Sequence, residues 1–170
     1  LRDVPSCVLA AREMVTAAAA AANTRADELD TKEDEQLKAA FGIEEGSRVK
    51  GASKRKVDAA KKQLADHQKN RRKRMIRDEA DRSLVDLLGL FRDVLMVQVG
   101  SNLELINQEM RPAVESFAAR GNPADTTRTL VAIERARASI KASTPPQLAV
   151  ESVMVSIKDP KLASVHVNMR

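Results

Sequence analysis

The chain has 170 residues, enough for one domain or for a small domain with a long appendage. Aromatic residues make up 2% of it, only Phe41, Phe91 and Phe117, and with six Gly and six Pro this argues against a β-sandwich or barrel and for helices packed through Leu, Val, Ile, Ala and Met. The formal net charge of +5 permits an anionic partner without demanding one.

Cys7 is the single cysteine, so neither a disulfide framework nor a paired-cysteine metal site is expected, and a reducing, cytoplasmic setting fits. No apolar run approaches the roughly 18 residues of a membrane span, and the alanines at 17–22 read as too few and too weakly apolar for one. No signal peptide is evident, and a chain opening at Leu1 reads as a fragment of something larger.

Pro5 suits the first turn of a helix, where its missing N–H costs nothing. An apolar stripe of Val8, Met14, Val15, Ala18 and Ala22 follows, and the spacing carries the helix through Leu29, Leu37 and Phe41 to a stop at Gly42. That is about 36 residues, or about 54 Å. Its second half is acidic, with Asp27, Glu28, Asp30, Glu33, Asp34 and Glu35. Residues 42–53, with Gly42, Gly46 and Gly51, read as a mobile turn.

A second long helix is expected from about Lys54 to Val99. Its first part is apolar only at Val57, Ala60, Leu64 and Met75, and strongly basic, including the run Lys69-Asn-Arg-Arg-Lys-Arg74. An acidic arm, a turn and a basic arm predict an antiparallel helical hairpin at about 25–77 with a thin Leu/Ala seam. The last part is the most apolar text in the chain. Leu84, Leu87, Leu88, Phe91, Leu95 and Val99 mark one face, widened by Val85, Leu90, Val94 and Val97. Only a narrow polar stripe of Arg82, Asp86 and Asp93 remains, so this helix should be covered on most sides, with Gly100 ending it in a left-handed residue.

Shorter helices follow: one from Pro112 through Val114 and Phe117 to Gly121, and one capped by Asn122-Pro123 through Leu130, Ile133 and Ile140. A last one runs from Pro146 through Leu148, Val150, Val153, Met154 and Ile157. The expected fold is therefore all-α, a helical bundle carrying a long charged hairpin. Residues 1–158 form one domain and 159–170 a loose tail.

Catalytic chemistry finds no seat in the text. Residues 46–54 have the glycine spacing of a phosphate-binding loop, but Ala52 stands where its lysine belongs and no strand precedes it. His67 and His166 show no metal spacing, and Cys7 has no histidine near it in sequence. No catalytic residue, metal or cofactor is expected. The basic run is the one sharp polar feature. Lys69, Arg71, Arg72, Lys73 and Arg74 either pair with the acidic arm or contact nucleic acid or another acidic partner.

Three pieces, in order, carry a family resemblance: Cys7-Val-Leu-Ala-Ala-Arg-Glu-Met-Val15, the stretch from Lys69 to Leu95, and the stretch from Ile133 through Ser143-Thr-Pro-Pro146 to Ile157. Together they resemble the C-terminal collar region of the delta-prime subunit of the bacterial DNA polymerase III clamp loader, in its actinobacterial form with a charged helical insertion. Family members often have Asn before the proline, where this chain has Ser143-Thr144. The resemblance implies a non-catalytic scaffold that holds subunits in a ring while the sliding clamp is loaded during DNA replication. Its ATPase-like module would precede Leu1. It implies gamma, tau and delta type subunits as partners, DNA as a further one through the basic arm, and neither membrane nor small-molecule substrate. The shared surface is expected along Leu130, Ile133, Arg137 and Ile140, with Leu148, Val153, Met154 and Ile157 behind or beside them and some of the eight in the core of the domain itself; Arg would be the favoured anchor in the absence of Trp and Tyr. The alternative function is a helical nucleic-acid-binding module using the basic arm 54–77.

Overall fold

The computed structural model describes residues 3–43 and 52–162. Five α-helices follow one another: α1 Val4–Ala40, α2 Ala52–Gln98, α3 Arg111–Arg120, α4 Pro123–Lys141 and α5 Pro146–Lys158. A 3-10 turn at Gln108–Met110 leads into α3, and no strand occurs among the described residues. The all-α expectation holds, as do the helix limits to within a few residues. The glycine-spaced segment lies mostly at 44–51, outside the described residues, as does the tail from 163 on, which includes His166.

Local chemistry sets the helix ends. Asp3 caps α1: its Oδ1 accepts from the Ser6 N–H at 2.9 Å, while the Ser6 hydroxyl accepts from the Asp3 N–H at 3.1 Å. The backbone and side-chain hydrogen bonds from Ser6 hold the Asp3 carboxyl below its ordinary range. Asn122 caps α4 by accepting from the Asp125 N–H at 3.0 Å. Gly42, Gly100 and Ser143 follow α1, α2 and α4 in left-handed conformation, with φ of 61°, 67° and 77°. At each, the next N–H reaches five residues back, as from Thr144 to the Ser139 carbonyl at 2.9 Å.

The chain divides into two compact units, Leu1–Ala17 with Ala80–Arg170, and Ala18–Glu79. The second unit takes in the arm expected at about 25–77. In the 18–79 unit the fully buried residues are mostly alanines: Ala18, Ala22 and Ala26 of α1 are buried, as is Val57 of α2, while Leu37, Leu64 and Met75 are half-buried. Leu29, through which the helix was expected to continue, lies on it and is exposed. Alanines one turn apart let two helices approach closely where leucines would hold them apart.

In the other unit, α4 and α5 pack against each other through Ile133, Ala136 and Ile140 on one side and Ala149, Val150 and Val153 on the other, all buried. Each fully buried Ile or Val contributes about 1.5–3 kcal/mol of apolar transfer. Val94, Leu105 and Val114 form a second cluster, with Leu90, Val97 and Phe117 packed on it. The Phe91 and Phe117 rings meet at 5.7 Å with a 57° tilt, and the Arg120 guanidinium lies over Phe117. Gln98 ties three helices, donating to the Ala118 carbonyl and accepting from the Thr126 hydroxyl at 2.7 Å.

Two expectations for the helical surfaces change. Along α1 the buried residues in this unit are Cys7 and Ala11, whereas Val8 is exposed and Met14 and Val15 are half-buried. Asp93, assigned to the polar stripe of α2, is completely buried. The segment after Gly100 returns over it and supplies the hydrogen bonds that a buried carboxylate requires. α1 also holds an 18-residue window with a mean hydropathy of 1.2, so by length and composition alone it could cross a membrane, contrary to the reading of its alanines in isolation.

Candidate functional site

Three features concentrate chemistry or unsatisfied surface. The first is a groove of about 870 Å³ on the unit formed by 1–17 and 80–170, walled by α4, α5 and the start of α1. Val4, Val8, Leu148 and Leu162 stand around it, all substantially exposed, with Leu148 58% so. Arg135 and Glu151 are its charged lining residues. Its floor is made of Ala132, Ala136 and Ala149, small buried residues of α4 and α5.

The structure apportions the residues expected to form a shared surface. Ile133, Ile140 and Val153 point inward and are core, which corrects their assignment to an interface. Leu130 is half-buried. Arg137 is held by Asp81, with Nε to Oδ1 at 2.8 Å, and by Glu134 at 3.3 Å; these carboxylates raise its pKa, Asp81 foremost. Met154 and Ile157 line a second concavity of about 620 Å³ beside Phe117 and Thr129. Leu148 alone of the eight is an outward apolar residue at the groove. Val4 and Val8 were not anticipated there. They lie one helical turn apart, and that spacing was the available signal.

The second feature is the buried carboxylate of Asp93. Its Oδ2 accepts from the Asn107 N–H at 2.8 Å and from Asn107 Nδ2 at 2.9 Å. Its Oδ1 accepts from the Ile106 N–H at 3.1 Å and from Arg92 at 2.8 Å. Burial opposes ionisation, but the hydrogen bonds from Asn107, Ile106 and Arg92 outweigh it and hold the carboxyl below its ordinary range. Two of the four donors are backbone N–H groups of Ile106 and Asn107, which makes this a structural clamp on the segment that follows Gly100.

The third feature is the charge of the 18–79 unit. Arg71 grips Glu33 with both terminal nitrogens and reaches Asp30 as well. Arg72 bridges Asp27 at 2.7 Å and Asp30 at 2.6 Å, and Arg25 meets Glu79 at 3.1 Å. Low numbers on α1 pair with high numbers on α2, so the hairpin is antiparallel as expected. Hydrogen bonds from Arg71, ahead of burial, lower the Glu33 pKa, and those from Glu33 raise that of Arg71. Arg71 Nε is buried without an acceptor among the described residues, so the fork is incompletely satisfied.

Arg71 and Arg72 are therefore neutralised within the hairpin. Lys69, Lys73 and Arg74 of the same run are exposed and have no carboxylate within ion-pair reach among the described residues. His67 is exposed on α2, Cys7 is buried, and the described residues contain no group of three or more His, Cys, Asp or Glu able to hold a metal ion. Comparison with protein-family models, with curated proteins and with solved structures returns no match.

Proposed function

We propose that this chain is a helical scaffold domain that holds subunits together, of the kind found in the collar of a clamp-loader delta-prime subunit, and that it serves sliding-clamp loading in DNA replication. The observation that carries the reading is the groove at α4, α5 and the start of α1. Val4, Val8, Leu148 and Leu162 are exposed together around a floor of alanines, an arrangement suited to receiving a partner helix. Two of the three sequence segments that resemble the delta-prime collar supply its walls: the first begins at Cys7, beside Val8, and the third runs through α4 and α5.

Light scattering on a sizing column tests the proposal, with the chain alone and mixed with gamma, tau and delta type subunits at moderate salt, where bare charge attraction is screened. A stable complex that is lost in Leu148→Asp and Val8→Asp is the expected result. Both residues are exposed, and unchanged far-UV circular dichroism keeps a lost complex from being a lost fold. Association that survives both substitutions would remove the groove from the interface, and no association with any subunit would refute the scaffold reading.

A further inference from the structure

We infer that the outer face of α2 within the 18–79 unit is a docking surface for the phosphate backbone of duplex nucleic acid. The basic residues of α2 divide into two sets. Arg71 and Arg72 belong to the inner set, held by Asp27, Asp30 and Glu33. Arg55, Lys62, Lys69 and Lys73 form the outer set. At about 100° per residue these four fall within about 40° of one another, a straight line about 27 Å long. All are exposed, and none has a carboxylate partner among the described residues. Arg74 lies about a quarter turn aside, also exposed.

A helix face that is merely solvated ordinarily alternates the signs of its charges, because opposite charges one turn apart stabilise it. Along the line Asp58 and Asp66 stand between Arg55, Lys62 and Lys69, but over residues 54–74 as a whole α2 exposes eight cations against these two carboxylates, and Lys69, Lys73 and Arg74 have none between them. The hairpin's ion pairs use Arg71 and Arg72 with Asp27, Asp30 and Glu33, and they do not draw on the outer cations. Unscreened like charges on one rigid face carry a repulsive cost, and a polyanion relieves it. Duplex DNA presents a charge about every 1.7 Å along its axis, so the full length of the line can lie against phosphates.

The same face argues against other anionic partners. A helix that binds lipid headgroups needs an apolar side free to insert, and in this arm Val57 is buried and Leu64 half-buried. Single-stranded bases need aromatic platforms, and residues 54–79 contain none. The inference stands apart from the scaffold reading, because it uses different residues and a different readout.

The test is fluorescence anisotropy of a labelled duplex of arbitrary sequence with the full 170-residue chain, titrated from about 50 to 200 mM salt. Four phosphate contacts predict a slope of log K against log salt near −3.6, which is about a 150-fold loss of affinity over that range. Lys69→Gln with Lys73→Gln should lower the slope by about 2, and Asp66→Asn should tighten binding. Arg111→Gln with Arg128→Gln, outside the arm, should leave the slope unchanged. Unchanged far-UV circular dichroism keeps a loss of binding from being a loss of fold. The inference is overturned by absence of duplex binding, by a slope that the Lys69/Lys73 pair does not alter, or by tighter binding to phosphatidylserine vesicles or to polyglutamate than to the duplex.

Discussion

Replacing Asp93 by Asn tests how much one buried carboxylate contributes to the larger unit. Four donors converge on its two oxygens, from Ile106, Arg92 and, twice, Asn107. An amide keeps one oxygen and turns the other into a donor facing donors, so two of the four hydrogen bonds are lost. Hydrogen bonds to a charged acceptor contribute about 1.5–3 kcal/mol each, and a buried N–H without an acceptor costs about 1–3 kcal/mol. Arg92 is partly exposed and can turn to water, which lowers the total to about 2–4 kcal/mol. With an m-value of about 1–3 kcal/mol/M, the urea midpoint should fall by about 1–2 M with the slope unchanged.

The acid limb adds a second check. The folded pKa of Asp93 lies below its unfolded value near 3.9, so the unfolded chain binds the proton more readily. Its stabilisation is present in full above the unfolded value and lost as pH falls through the folded one. The Asn variant should therefore lose less stability than the parent as pH falls below about 4. A midpoint shift under about 0.3 M, or an acid limb identical in the two proteins, would refute the clamp.

Other substitutions have defined outcomes. Ser143→Gly should raise stability by about 1 kcal/mol, read as a higher melting temperature, because a Cβ at φ 77° is strained and glycine is not. Gly89→Ala should stabilise α2 by about 0.5–1 kcal/mol in urea melts; the added methyl would sit 3.5 Å from Asn107 Nδ2, an ordinary contact. Arg71→Met leaves Asp30 and Glu33 facing each other without their shared cation, so hydrogen exchange at 18–40 should speed up while exchange in α4 and α5 stays unchanged.

Much of the fold was legible because helix limits are written in local chemistry: Gly42, Gly100, Asn122-Pro123 and Pro146 each stop or start a helix for reasons that need no tertiary contact. The hairpin was legible too, since blocks of opposite sign on two arms have one economical pairing. What escaped depended on segments that return from afar. Asp93 has the same neighbours in sequence as any surface aspartate, and only the segment at 106–107 makes it a buried one. Ile133 and Leu148 are equally apolar in the text; the pairing of α4 with α5 turns one inward and leaves the other at the groove. In the basic run, adjacent residues have opposite fates, because a helix rotates Arg72 toward Asp27 and Lys73 away from it. Asp3-Val-Pro-Ser6 was legible as a cap, and the proline beside it drew the reading instead.

The alanine-rich seam of the 18–79 unit has a thermal consequence. Burying methyl groups in place of larger side chains removes little apolar surface from water, so opening the hairpin carries a small change in heat capacity. Its stability then varies weakly with temperature. The cost of desolvating its ion pairs falls on warming, because charge hydration becomes less favourable. An arm held in this way keeps its grip across a wide span of temperatures, where a leucine-lined seam of equal strength would weaken toward the cold.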